Sequence, residues 1–246
     1  MLSVELPPEA EAIRADVRAE LAPALELEGA AQKTYLAEKG YTAPHFTAPW
    51  GKSADAVSQL VIAEELRAAK IKPHDMIIGN WVIPTLIAHG NEEQLAKFVP
   101  PSLRGDIVWC QLFSEPGAGS DLAALSTKAT KVDGGWKLQG QKVWTSMARD
   151  AHWGICLART DADAPKHKGL SYFLIDIKNS GLDIRRCARS PVKHCSTKSS
   201  STTSSFPTSA WSASQATAGS SLAPRWPTSV SRCPTTRRSD RVARLF

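Results

Sequence analysis

An α+β fold, with a helical part followed by an antiparallel sheet part, is predicted by three observations. Apolar residues recur at helical spacing up to about residue 104, short β-rich runs replace them from residue 106, and 42% apolar content over 246 residues suffices to bury a sizeable core. Helices and strands segregated in this way argue against alternating βαβ units. The expected organisation is a helical domain over residues 1–104, a β domain over residues 105–186 and a tail over residues 187–246.

The helices rest on spacing and caps. "EAEAIRADVRAELAPAL" places Ile13, Val17 and Leu21 on one face, and "SADAVSQLVIAEELRAAKI" does the same with Val57, Leu60, Val61 and Leu66, behind Ser53 as cap. In "NEEQLAKFV" the Asn91 side chain can cap free backbone N–H groups while Glu92 and Glu93 favour the positive end of the helix dipole. Pro100 and Pro101 are expected to end that helix. The strands come next: "DIVWCQLF", "STKATKV", "GWKLQGQKVW", "WGICLART" and "LSYFLIDI", the second and third joined by the turn "DGG". The chain has no internal repeat.

Charge divides the chain. Residues 1–186 hold 21 Lys and Arg against 23 Asp and Glu, whereas residues 187–246 hold nine basic residues and the single acid Asp240, so the tail supplies all of the net +6. Cys110 and Cys156 stand in the body and Cys187, Cys195 and Cys233 in the tail, at spacings that suggest neither a disulfide framework nor a zinc site. The N-terminus carries no leader-like apolar core and no apolar run reaches membrane-spanning length, so a cytoplasmic protein without a membrane span is expected. Taken at face value, a tail in which 23 of 60 residues are Ser or Thr would be a disordered basic segment for nucleic acid or phosphates. Its charges are scattered and Trp211 and Trp226 stand far apart, which disfavours that class, and no nucleic-acid partner is expected.

Two short stretches could carry chemistry. In "FSEPGAGSD", residues 113–121, Gly117 and Gly119 let the backbone turn tightly and approach a ligand. The stretch lacks the Gly-Lys-Ser/Thr of a phosphate loop, and Leu122 stands where a dinucleotide fingerprint needs its third glycine. Pattern alone leaves a plain turn and a ligand loop evenly matched. "KVWTS", residues 142–146, sets an indole beside two hydroxyls, a group able to stack on a flat ring and bond its edge. A buried core Trp is the plainer alternative.

In this order and spacing, "WCQLFSEPGAGSDLAALSTKAT", "GWKLQGQKVWTS" and "ARTDADAPKHKGLSYFLID" closely resemble the acyl-CoA dehydrogenase family, with upstream support from "LVIAEELRAAKI" and "PTLIAHGNEEQLAKFVPPSLRGD". The resemblance covers about residues 10–186. It implies a helical N-terminal domain, a barrel-like antiparallel β middle domain and a C-terminal four-helix domain, the last of which is missing here. It also implies FAD as cofactor, an acyl-CoA substrate desaturated between its α and β carbons in fatty-acid or related catabolism, and an electron-transfer flavoprotein as acceptor. Gln111, Leu112, Phe113, Ser114, Gly119 and Ser120 would lie along the flavin, Trp144 against its ring, Thr145 beside it and Ser146 near N5. Ser120 and His167 would approach the CoA portion, although for His167 a solvated loop position is the stronger reading. Asp161, Asp163 and His167 fit no trusted metal-ligand pattern, so no metal is expected.

The family reaction also needs a carboxylate base, because thioester α-protons are weakly acidic. Relatives place that base in the C-terminal helical domain, so no catalytic residue is expected within this chain, and the fragment is expected to be inactive. A flavoprotein of the same fold with other chemistry, or an inactive partner subunit, is the alternative. Past Arg185 the family pattern stops. If one base is missing after the Arg185 codon, the tail decodes: Ser201 to Thr208 can be written TCG ACG ACG TCT TCG TTC CCG ACG, which one base earlier reads Asp-Asp-Val-Phe-Val-Pro-Asp, a family motif. The tail is therefore read as family sequence out of frame, and a homo-oligomer is expected only of the in-frame protein.

Overall fold

The structure, a computed structural model, describes residues 6–133, 135–186 and 202–205. Five helices come first: α1 Glu9–Leu21, α2 Gly29–Glu38, α3 Ala56–Ala68, α4 Gly79–His89 and α5 Glu92–Arg104. Val17 and Leu21 of α1 pack on Ile62 and Leu66 of α3, with Leu36, Tyr41 and Ile71 completing that core. A clip of ion pairs joins the same two helices at the rim. Glu65 receives Arg14 at 2.7 Å and Arg18 at 2.6 Å, and Glu64 receives Arg14 at 2.7 Å.

The start of α3 corrects the expected cap. Asp55, immediately before the helix, accepts from the Ser58 N–H at 2.8 Å. Ser53 instead has φ 51° and accepts from the Ala48 N–H. It lies too far upstream to reach the first turn. In α5 the Asn91 cap is present as a full capping box, with Gln94 answering to the Asn91 N–H. Pro100 and Pro101 do not stop this helix, which runs on to Arg104 and ends at Gly105, φ 87°. Phe98, Val99, Ser102 and Leu103 are all buried on one face, and that packing offsets the missing backbone donors.

The sheet part lies against α4 and α5. Val82, Ile83 and Leu86 of α4 and Phe98, Val99 and Leu103 of α5 form one core with Trp109, Ile155 and Leu174 from three strands. The Trp109 indole N–H donates to Ser102 Oγ at 2.8 Å, so the largest side chain at this junction leaves no buried donor unpaired. The main sheet contains β1 Trp109–Leu112, β2 Lys128–Val132, β3 Gly135–Gln139, β5 Trp153–Arg159 and β6 Leu170–Asp176. It is mixed rather than antiparallel throughout. β5 pairs with β6 antiparallel from Trp153↔Asp176 to Arg159↔Leu170, but with β1 in parallel from Trp109↔Trp153 to Leu112↔Cys156. Forty residues separate those parallel strands, ample for the crossover that parallel pairing requires.

The run "GWKLQGQKVW" does not remain one strand. It breaks at Gly140, where a Cβ would stand 2.2 Å from Thr127 Oγ1, and continues as β4 Gln141–Lys142 in a second sheet. There β4 and β7 Asp183–Arg186 flank β8 Thr202–Ser205, antiparallel on both sides. The expectation of an unfolded tail falls on residues 187–246, which lie outside the described residues except for these four.

Candidate functional site

The two stretches singled out in the sequence meet. β1 runs through Gln111 and Leu112 into Phe113 and Ser114, and the Val143 N–H donates to the Ser114 carbonyl at 2.9 Å. Below that contact Lys142 is fully buried, and its ammonium donates to the Phe113 carbonyl at 3.0 Å, the Leu157 carbonyl at 2.8 Å and Glu115 Oε1 at 2.8 Å. Glu115 is buried as well. Its Oε1 also accepts from the Thr127 N–H and hydroxyl at 3.0 and 2.5 Å, and its Oε2 from the Ser126 N–H and hydroxyl at 2.7 Å each. Burial alone would push this carboxyl up, but Lys142, Thr127 and Ser126 outweigh it and hold it at about 2.

Around this anchor the chain turns sharply. Glu115 and Ala118 exchange backbone bonds of 2.8 and 3.1 Å, which closes the "EPGA" turn. A Cβ added at Gly117 or Gly119 would meet nothing within 4 Å, so the outer side of the loop is open. Phe113 packs edge-on to Tyr172 with ring centroids 6.2 Å apart.

Trp144 is not a core residue. It is 69% exposed and holds φ 59°, a region a bulky side chain seldom enters without a reason. Ser146 beside it is exposed, whereas Thr145 is fully buried. An unburied indole, a neighbouring hydroxyl and an open glycine loop on one ledge fit a flat, polar-edged ring such as a flavin. Among the residues expected along the flavin, Gln111 and Leu112 are strand residues, the latter buried, and Gly119 and Ser120 are exposed. His167 sits exposed on the loop between β5 and β6, where Asp161 accepts from the Asp163 and Ala164 N–H groups to form a turn. No group of three or more His, Cys, Asp or Glu among the described residues could hold a metal ion. Cys110 and Cys156 are buried thiols that burial pushes up to about 12 and about 11, so they stay protonated and unreactive.

With this geometry, comparison with known proteins identifies the family. Residues 7–106 match the description "Acyl-CoA dehydrogenase, N-terminal domain" and residues 110–202 "Acyl-CoA dehydrogenase, middle domain". The chain belongs to the acyl-CoA dehydrogenase family. It is 53% identical over 173 residues to acyl-CoA dehydrogenase FadE34 of Mycobacterium tuberculosis, which covers 70% of this chain and 24% of that protein. To acyl-CoA dehydrogenase IpdE1 of the same organism it is 46% identical over 102 residues, 42% of this chain and 26% of that one. The chain thus spans about a quarter of these curated relatives. Among solved structures, the Tcur3481–Tcur3483 steroid ACAD is similar with a TM-score of 0.61 and 28% identity, over 87% of this chain and 58% of that one. No helix among the described residues is long and apolar enough to cross a membrane.

Proposed function

We propose that this protein dehydrogenates an acyl-CoA thioester between its α and β carbons, with FAD as the acceptor of the β-hydrogen. The observation that carries the reading is the junction of Ser114 with Val143, which sets the glycine loop and the exposed Trp144 on one ledge. When bound, FAD supplies the two-electron acceptor. Trp144 offers its indole face to the ring, while Ser114 and Ser146 supply polar groups at the ring's edge; Thr145, expected beside the ring, is fully buried and supports the ledge from within instead. The open sides of Gly117 and Gly119 admit the cofactor next to the backbone, and the exposed Ser120 is the proposed contact for the CoA portion, with the solvated loop residue His167 the weaker candidate.

The α-proton must go to a base, and Glu115 does not qualify. Its two oxygens are already occupied by five donors, and it lies inside the fold rather than on the ledge. The base therefore comes from outside the described residues, and without it about a hundred- to ten-thousandfold in rate is forfeited. The residues after Arg185 are family sequence read one base out of frame, so the chain as given does not turn over, and an oligomer forms only from the in-frame protein. A steroid-derived acyl group is the proposed substrate class, because the 28%-identical solved structure is that of a steroid ACAD. An electron-transfer flavoprotein in the cytoplasm is the proposed acceptor. The two-protein name of the same structure favours one second reading, an inactive partner subunit.

The test expresses the 246-residue chain beside a form with one base restored after the Arg185 codon. Bound flavin and its bleaching by straight-chain and steroid side-chain CoA thioesters are measured in both. The in-frame form should hold flavin and be bleached, the steroid thioester being preferred. Equal activity of the two forms would overturn the frame reading, and an in-frame form that holds flavin but is not bleached would favour the partner subunit.

A further inference from the structure

We propose that Lys142 and Glu115 act as positioning residues, a buried brace that fixes the ledge on which the flavin is read to lie. The inference rests on that reading but stands on separate geometry. A lysine with no exposed surface is rare unless its charge and donors are used, and here all three donors are occupied by Phe113, Glu115 and Leu157. Those bonds run to the loop that opens with Ser114 and to β5, while Lys142 itself stands two residues before Trp144. Glu115 ties the same point to the start of β2 through Ser126 and Thr127. Four segments are joined at one ion pair.

That arrangement exceeds what holding the fold requires. A buried ion pair replaced by apolar groups of similar volume often leaves stability unchanged, so the charge itself is dispensable to folding. What apolar groups cannot reproduce is three directed bonds to two carbonyls and a carboxylate. These bonds set where Phe113 ends and Ser114 begins, and they hold the strand from which the chain swings into the positive φ of Trp144. Positions that must be held to within about half an ångström are typically locked from behind in this way.

Fluorotryptophan labelling of the 246-residue chain, with Trp144→Phe to assign the resonance, reads the ledge without any flavin. Lys142→Met alone should destabilise the chain sharply, and adding Glu115→Gln should recover part of its urea stability, because the unpaired buried charge is removed although one amide NH2 then faces donors of Ser126 or Thr127. In that double variant the Trp144 resonance should nevertheless move and broaden, while those of Trp109 and Trp50 stay in place. FAD titrated into the same samples should bind at least tenfold more weakly to the double variant. A Trp144 resonance that returns to its original position together with stability would overturn the proposal and leave the pair a support of the fold only. If the unmodified chain takes up no FAD, the flavin reading fails for this chain, and the resonance alone decides the positioning role.

Discussion

Replacing Trp144 by Ala separates a ligand contact from a packing contact. With Trp144 69% exposed, less than a third of a side chain that buries roughly 150–250 Å² when enclosed is in contact with the protein. At about 25 cal/mol per Å² the loss of that contact costs at most about 1–2 kcal/mol, an upper bound because the unfolded chain also buries part of the ring. The left-handed backbone adds no difference, since Ala and Trp are equally ill suited to φ 59°. Binding should respond more strongly. A base stacked on an aromatic side chain loses about 1–3 kcal/mol on substitution by Ala, and a flavin ring stacked likewise would lose roughly five- to hundred-and-fifty-fold in Kd. Urea unfolding and FAD titration of the in-frame protein measure both effects. Trp109→Ala serves as the contrast, because that ring is 2% exposed and its loss should cost about 3–5 kcal/mol. A Trp144→Ala variant as destabilised as Trp109→Ala, or one with an unchanged FAD Kd, would refute the reasoning.

Other consequences concern the interior. Because the folded structure holds Glu115 at about 2 against an ordinary value of 4.5, its ionised form contributes stability that is full above about pH 4.5 and drains away as pH falls toward 2. Acid unfolding of Glu115→Gln should therefore show a shallower pH dependence across that window than the unmodified chain. Gly140→Ala, whose Cβ would stand 2.2 Å from Thr127 Oγ1 and 2.8 Å from Thr127 Cα, should cost about 1–3 kcal/mol in urea unfolding. Gly117→Ala should stay within about 0.5 kcal/mol in the same assay, because nothing lies near the added methyl. Glu65→Ala removes the charged acceptor shared by Arg14 and Arg18 and should cost about 1.5–3 kcal/mol, measured by the same unfolding.

How much could be read from sequence depended on whether the deciding interaction was local. α1, α3 and α5 announce themselves through apolar spacing and, for α5, the Asn91 cap. α2 and α4 do not. α2 opens on Gly29 with an even mixture of residues, and α4 carries Pro84 in its interior, so packing, not pattern, makes them helical. Pro100 and Pro101 misled for the same reason, their local cost being outweighed by the buried face of α5. The parallel pairing of β1 with β5 joins residues more than forty positions apart, and no local pattern encodes it. At the site, "FSEPGAGSD" and "KVWTS" each gave even or worse odds alone. Their connection through Glu115 and Lys142, 27 positions apart, is invisible to any motif reading. A charged residue at the head of the glycine loop, Glu115, and another in the short strand β4, Lys142, are its only trace in the sequence.

The second sheet bears on the frame reading in a way composition does not. β8 pairs position 204 with Ile184 of β7 and with Lys142 of β4, and residues directly opposite in antiparallel strands share a face. Of these partners, Lys142 is fully buried, and Ile184 packs against the core of Cys110, Leu112 and Ile175. In the frame proposed for the tail, positions 202–205 would read Asp-Asp-Val-Phe, which puts a valine, a residue that favours strands, at the register position paired with Ile184 and Lys142.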